Sequence, residues 1–188
     1  MKDAGNRPRP ELPTLRTERL LLRPFARDDA PVVQALAGDR DIASTTLDIP
    51  HPYADGLAEV WIDTHRPAWE AVNSMTLAST TETDGVVGAV SLQLSIVHGR
   101  GELGYWIGVP FWTHGYATEA SAEVLRYAFQ VLGLNRVVGR HFTRNPSSGR
   151  VMQKLGMKHE GCLRQHCVKW GRAEDVDIYG ILRREWAR

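Results

Sequence analysis

Hydrophobic residues recur along this chain with two different periods, and the period changes at Gly115. Before this glycine, Val90, Leu92 and Leu94 alternate with polar neighbours, which predicts a strand. After it, apolar residues recur every three to four positions up to Gly133, which predicts an amphipathic helix that ends at that glycine. The stripe of that helix consists of Ala117, Ala120, Ser121, Val124, Leu125, Ala128, Phe129 and Leu132.

The same pattern predicts a mixed α and β chain. Helices are expected over 30–37, over 54–72 with a kink or division at Pro67, and after Asn145-Pro146, while 39–53 is expected to be a loop. Several strands are adjacent in sequence before the long helix, which favours a largely antiparallel sheet with helices on its faces, an α+β fold. The predicted strands are 19–23, 75–80, 86–94, 102–108, 136–142, 159–168 and 174–182.

Composition and charge narrow the class of protein. The 188 residues fit one domain, with a proline-rich flexible tail over 1–13 and the domain over 14–188. The net charge of +1 argues against nucleic acid or a membrane as partner. Two cysteines are too few for a disulfide scaffold, and no long apolar run or signal peptide is present, so we expect a cytoplasmic protein. The seven histidines show no metal-binding spacing.

Residues 102–120 contain the strongest candidate site. A strand-like run ends at Val109-Pro110, a short loop follows, and Gly115 precedes the helix. The first N–H groups of a helix lack internal partners and carry the positive end of the helix dipole, so they can bind an anion. Gly115 and Ala117 would let a ligand approach the backbone closely. The segment predicts a binding site for a phosphate-bearing ligand.

Several motifs in this order resemble the GCN5-related N-acetyltransferase (GNAT) superfamily. They are the strand, Gly-x-Ala turn and helix at 102–132, then Asn145-Pro146-Ser147-Ser148 and Lys154-Leu155-Gly156-Met157. Segments 17–24 and 112–120 resemble the RimJ/RimL-like subgroup of ribosomal-protein N-terminal alanine acetyltransferases. The similarity covers 14–186 and implies a GNAT fold: a mostly antiparallel, splayed mixed sheet of about six to seven strands, flanked by about four helices.

The resemblance implies an enzyme that transfers an acetyl group from acetyl-CoA, without a metal, by direct attack of an amine in a ternary complex. The acceptor would be a protein N-terminal α-amine or a small-molecule amine, and the resemblance is compatible with a homodimer. Backbone groups at the end of the strand would pair with the pantetheine arm, and the loop would bind the pyrophosphate. The implied cofactor-binding residues are Ile107, Gly108, Val109, Thr113, His114, Gly115, Tyr116, Ala117, Thr118, Asn145 and Ser148.

Two catalytic residues are implied in the same way. Ser148 matches a serine that hydrogen-bonds the leaving thiolate, and Met152 stands where many relatives carry a tyrosine for that purpose. Glu102 matches a position where some members place a glutamate base. Each also has a structural interpretation: Ser148 as a solvated residue in the first turn of a helix, and Glu102 as a partner of a neighbouring strand. Asn145 could likewise serve only as a helix cap.

A second class of function also fits these motifs. Because no tyrosine stands at position 152, the chain could be a non-catalytic module that binds acyl-CoA as a sensor. Thiol release over a panel of amines would distinguish the two hypotheses.

Overall fold

All strands lie in one open sheet. The computed structural model describes residues 11–186, and its sheet has the order β1-β2-β3-β4-β5-β6-β8-β7. Neighbouring strands are antiparallel except for β5 and β6, which are parallel. The strands are β1 (Leu15–Arg16), β2 (Leu21–Arg23), β3 (Ser74–Thr81), β4 (Gly85–Ser95), β5 (Arg100–Ile107), β6 (Arg136–Phe142), β7 (Lys158–Lys169) and β8 (Arg172–Leu182).

The helices pack on both faces of this sheet, and the predicted α+β fold is confirmed. The eight strands exceed the expected six to seven because Leu15–Arg16 pairs with β2 as a short outermost strand. The described residues form six helices, against the expected four or so. One additional helix lies within 39–53, and the helix expected over 54–72 is divided in two. The six helices are α1 (Ala30–Ala37), α2 (Arg40–Thr45), α3 (Leu57–Asp63), α4 (His65–Glu70), α5 (Tyr116–Gln130) and α6 (Pro146–Lys154).

The expectation of a loop over 39–53 is wrong, because α2 lies within it. Asp39 caps this helix by accepting a hydrogen bond from the backbone N–H of Asp41 at 2.8 Å. Ile42 and Ala43 bury its inner side. Six residues are too few to show a helical period in the sequence, so the capping aspartate was the available signal.

The helix expected over 54–72 is divided in two, at a point close to Pro67. The first part, α3, ends at Asp63, and α4 begins at His65. Proline has no N–H to donate and its ring collides with the carbonyl four residues earlier, which here is that of Asp63. Pro67 is accommodated in the first turn of α4, where no such hydrogen bond is needed.

The two faces of β5 point in opposite directions and meet different helices. Leu103 and Tyr105 pack against the cluster that contains the buried stripe of α5. Trp106 faces the other way and packs against the smaller cluster formed by α1 and α3. Glu102 lies on the same face of the strand as Trp106, because alternate residues share a face. Most of the predicted stripe of α5 is confirmed, with Ala120, Ser121, Val124, Leu125, Ala128 and Phe129 buried. Ala117 is only partly buried, and Leu132 lies outside the helix, which ends at Gln130 and not at Gly133.

The sheet opens between its two parallel strands. β5 and β6 are paired only from Arg100 with Arg136 to Leu103 with Gly139. Beyond Leu103, β5 remains paired with β4 on its other side as far as Ile107. β6 likewise remains paired with β8 up to Phe142. The two strands therefore diverge, and the splay implied by the resemblance is present.

The structure describes only part of the predicted N-terminal tail. Of the tail predicted over 1–13, residues 1–10 lie outside the described part of the chain, and Leu12 packs against the main core. Among the helices of residues 11–186, none combines the length and the apolar character needed to cross a membrane.

A buried histidine, His65, makes the stability of this fold depend on pH. His65 is 6% exposed and packs against Trp61 and Phe25, with ring centroids 4.4 Å and 5.4 Å away. Neither ring nitrogen has a hydrogen-bond partner within the described residues. Burial lowers the pKa of His65 from 6.5 to about 4, so the imidazole is neutral in the folded protein at neutral pH.

We predict that this histidine reduces stability in acid. Because the unfolded chain binds the proton more tightly than the folded one, the stabilisation is complete above pH 6.5 and is lost as the pH falls towards 4. At about 1.4 kcal/mol per pKa unit, the loss approaches roughly 3 kcal/mol. Urea unfolding at a series of pH values should show a shallower acid dependence for His65→Leu than for wild type. The control, His98→Leu at an exposed position, should keep the wild-type dependence; equal slopes in all three proteins would refute the prediction.

Candidate functional site: the splay and the start of α5

The start of α5 has the geometry of an anion-binding site. Gly115 precedes the helix with φ of 84°, a left-handed conformation that glycine adopts without a steric penalty. Gly115 has no side chain with which to cap the helix, and within residues 11–186 the start of the helix, at Tyr116, Ala117 and Thr118, has no side-chain cap from that position. The loop over 112–115 is exposed, and Thr113 also has a positive φ of 68°. These groups can donate to a phosphate at the positive end of the helix dipole.

Arg19 supports this loop and was not singled out by the sequence analysis. Its Nη1 donates to the carbonyl oxygen of His114 at 3.0 Å, and its Nε donates to Glu119 Oε2 at 2.7 Å. The guanidinium lies 5.0 Å from the centroid of the Tyr116 ring. The ring of His114 stacks on Tyr116, with centroids 5.5 Å apart. Arg19 therefore holds the loop against the first turn of the helix and adds a positive charge beside it.

Glu119 completes this arrangement from within the first turn of α5. It accepts hydrogen bonds from Thr17 Oγ1 at 2.6 Å and from the backbone N–H of Arg19 at 2.8 Å. Burial alone would raise the pKa of Glu119, but the hydrogen bonds from Thr17 and Arg19 and the charge of Arg19 together lower it. The carboxylate is thus ionised and paired, so its charge is compensated next to the anion site.

A groove of about 560 Å³ lies beside Gly115. The groove contains three basic side chains: Arg19 from the segment before β2, Arg126 from α5 and Lys154 from the end of α6. These side chains would favour an anionic ligand. Arg126 is partly neutralised by Glu123, whose oxygens it reaches at 2.6 Å and 2.8 Å. The groove is lined by Thr17, Arg19, Gly115, Thr118, Glu119, Ala122, Glu123, Arg126, Lys154 and Trp186.

The end of β5 is more fully engaged than the sequence analysis expected. The carbonyl of Ile107 accepts from the Trp112 indole at 2.6 Å, and the N–H of Gly108 donates to Val87 at 2.9 Å. The carbonyl of Val109 accepts from the backbone of Trp112 at 3.2 Å. By contrast, the edge from Gly104 to Ile107 has no β6 partner within residues 11–186. This open edge could pair with the amide groups of a pantetheine arm.

The start of α6 lies across the gap from this edge. Asn145 Oδ1 accepts a hydrogen bond from the backbone N–H of Ser148 at 3.3 Å. Asn145 therefore caps α6, as its structural interpretation predicted. The Ser148 hydroxyl lies 2.8 Å from the hydroxyl of Tyr105, which belongs to β5. Tyr105 is the second functional candidate that the sequence analysis missed. Its strand position was available, but nothing local indicates that it reaches α6.

Glu102 lies beside a positive charge. Its Oε2 is 3.4 Å from a guanidinium nitrogen of Arg140, which lies on β6 near the point where the strands part. This is the neighbouring-strand partner that the structural interpretation of Glu102 anticipated. A carboxylate oxygen can accept a proton or a hydrogen bond, so the role of Glu102 as base stays a prediction.

Comparison with known proteins identifies the family. Residues 19–158 match the family described as "Acetyltransferase (GNAT) domain". The chain belongs to the GNAT acetyltransferase family. The GNAT domain and the N-acetyltransferases to which the chain is similar support an acetyl-CoA-dependent acetyltransferase.

Similar proteins support the GNAT assignment along nearly the whole chain. The uncharacterized N-acetyltransferase p20 of Bacillus licheniformis is 30% identical, with 93% of this chain and 98% of that protein covered. The uncharacterized N-acetyltransferase YoaA of Bacillus subtilis is 28% identical over 91% of this chain and 97% of its own. A RimL structure, described as a ribosomal L7/L12 α-N-protein acetyltransferase in complex with coenzyme A, shares the fold. Its TM-score is 0.84 at 16% identity, with 90% of this chain and 98% of that chain covered.

The anion site of this GNAT domain can be tested with a matched pair of substitutions. Gly115→Glu and Gly115→Gln impose the same backbone strain at φ of 84° and nearly the same volume, and they differ in charge. We predict that the glutamate variant binds acetyl-CoA at least about tenfold more weakly than the glutamine variant, a difference of about 1.4 kcal/mol. Isothermal titration calorimetry of the two folded variants measures this directly. Equal affinities would contradict the placement of the pyrophosphate at this loop.

Proposed function

We propose that this enzyme acetylates the α-amine of a peptide or protein N-terminus, as the RimJ/RimL-like resemblance implies. The proposal is supported by the positions of Glu102, which pairs with Val138 just before β5 and β6 part, and of Ser148, which contacts Tyr105 beyond that point. Glu102 lies on the face of β5 that meets α1 and α3, and Tyr105, which reaches Ser148, lies on the opposite face. A thioester held between β5 and β6 would be accessible from both faces. The amine would approach from one face, and the thiol would leave on the other.

The charges around Glu102 favour a peptide terminus over a polyamine. Arg140, 3.4 Å from Glu102, offsets the carboxylate's charge and so weakens the attraction that an unpaired glutamate would exert on the additional ammonium groups of a polyamine. A peptide instead offers carbonyl oxygens that a guanidinium can bind. The α-amine also has an ordinary pKa near 8, against about 10.4 for a lysine-like amine, so it needs only a weak base to be free at neutral pH. The carboxylate of Glu102 is a weak base of this kind.

In this proposal, acetyl-CoA supplies the acetyl thioester and the amine attacks it directly. The C–N bond forms, the C–S bond breaks, and the electron pair of the C–S bond goes to sulfur. The substrate ammonium loses two protons in total: one passes to solvent through Glu102, and the other ends on the sulfur. Ser148 donates a hydrogen bond to the departing thiolate, and Gly115 to Thr118 bind the pyrophosphate with backbone N–H groups.

Thiol release from acetyl-CoA over an acceptor panel tests the proposal. The panel contains peptides with N-terminal alanine or serine, the same peptides with a blocked N-terminus, spermidine, free amino acids and an aminoglycoside. We expect release with the free peptides and none with the blocked ones. Because Cys162 is exposed, enzyme without acceptor provides the baseline for a thiol reagent. Release with spermidine but not with peptides would overturn the peptide assignment, and release with no acceptor would overturn amine acetylation.

The role of Glu102 has its own test. Glu102→Gln should lower kcat/KM by about 10²-fold or more and remove the acidic limb of the pH–rate profile, while acetyl-CoA affinity stays close to wild type. Glu160→Gln is the matched control, because Glu160, on the edge strand β7, also pairs with an arginine of β6, Arg136. The control should retain full activity. An unchanged pH–rate profile in Glu102→Gln would eliminate Glu102 as the base.

A further inference from the structure

Tyr105 spans the gap between the diverging strands. It lies on β5 two residues beyond Leu103, the last residue of β5 that pairs with β6. Its hydroxyl is 3.0 Å from the carbonyl oxygen of Ser148 and 2.8 Å from the Ser148 hydroxyl oxygen. Both contacts fall in the normal range for O–H···O hydrogen bonds. The phenol therefore meets the residue that the proposed function assigns to the leaving thiolate.

The protons available to this pair of hydroxyls allow two arrangements. A carbonyl can only accept, so in the first arrangement Tyr105 donates to the Ser148 carbonyl, and the Ser148 hydroxyl is free to donate back to the phenol oxygen. In the second, Tyr105 donates to Ser148 Oγ, and the Ser148 hydroxyl proton must point away from the phenol. A thiolate that forms in the gap would select the second arrangement, because there the serine proton is available to it.

The environment of Tyr105 keeps its phenol protonated, and only the protonated phenol can donate a hydrogen bond to Ser148. Burial raises the pKa of the Tyr105 phenol to about 12, although its hydrogen bond with Ser148 opposes the rise. The phenol is consequently protonated at any pH at which the enzyme is assayed. It can donate a hydrogen bond throughout the reaction, but it is too weak an acid to give up its proton.

Position 152 explains why a phenol from β5 is needed. Met152 occupies the place where many relatives carry a tyrosine, and it is 1% exposed. Its side chain packs towards Gly139 of β6, where an added Cβ would lie 3.0 Å from the Met152 methyl group. It therefore contributes to the core and offers no polar group to the gap. Tyr105 brings a hydroxyl to the gap from the facing strand.

We propose that Tyr105 is a positioning residue that orients the Ser148 hydroxyl towards the leaving sulfur by donating a hydrogen bond to Ser148 Oγ. This inference rests on the role of Ser148 in the proposed function. No covalent bond changes at Tyr105 and no proton leaves it. Its contribution is to polarise Ser148 and to hold its proton in the productive direction, which stabilises the transition state more than the bound substrates.

A double-mutant cycle tests the proposal. Tyr105→Phe, Ser148→Ala and the double variant are compared with wild type by thiol release measured as a function of acetyl-CoA concentration at a fixed, saturating acceptor. We expect Tyr105→Phe to lower kcat about tenfold with KM for acetyl-CoA within twofold of wild type. In the Ser148→Ala background the same substitution should have no further effect, because its partner is absent. Tyr127→Phe, which removes a hydroxyl from another tyrosine packed against the main core, is the control and should keep wild-type kcat.

The outcomes separate this inference from the proposed function. An equal loss from Tyr105→Phe in both backgrounds would show that Tyr105 acts independently of Ser148 and would overturn the inference. Wild-type kcat in Tyr105→Phe would overturn it as well. Wild-type kcat in Ser148→Ala would remove Ser148 from the reaction, and with it the positioning role, while acetyl transfer to amines would stand. Thermal unfolding of each variant, expected within a few degrees of wild type, distinguishes these results from misfolding.

Discussion

The separation of β5 from β6 after Leu103 is the constraint on which the rest of the site depends. A gap inside a sheet exposes backbone groups that must find other partners. Each strand remains paired on its outer side, β5 with β4 as far as Ile107 and β6 with β8 as far as Phe142, so the gap cannot close by local collapse. The contact between Tyr105 and Ser148 crosses the gap without restoring strand pairing. The sheet thus maintains an opening, and the edge of β5 from Gly104 to Ile107 has no β6 partner within residues 11–186.

Beside this opening, the loop after β5 and the first turn of α5 carry an acidic group whose charge is compensated by an arginine. A carboxylate in the first turn of a helix stabilises the helix through its dipole, but it would repel a phosphate bound at the same end. Glu119 is such a carboxylate, and its hydrogen bonds with Thr17 and Arg19 compensate its charge. Arg19 also binds the His114 carbonyl, so a single guanidinium fastens the loop and offsets the acidic group. The N-terminal segment before β2 therefore supports the candidate anion site.

Sequence patterns predict what is local in this protein and miss what depends on distant contacts. The stripe of α5, the glycine before it and the cap at Asn145 follow from spacing alone, and the structure contains all three. Arg19 and Tyr105 were missed because their partners lie 95 and 43 residues away, and no periodicity connects such pairs. The short helix α2 was missed for a different reason: its hydrophobic side has only two buried residues, too few to define a period.

The acceptor side of the sheet shows why substrate identity is the hardest property to predict from this chain. Ile49 packs against the same cluster as Trp106, and Lys169 Nζ donates to its carbonyl at 2.8 Å from the β7–β8 hairpin. Arg144, just before α6, reaches the carbonyl of Ser44 at 2.6 Å. The wall of this face is thus held by backbone carbonyls, which carry no side-chain signature. Since any residue supplies a carbonyl, the shape that selects an amine is determined by tertiary contacts, whereas the proposed phosphate site follows from one glycine and one helix.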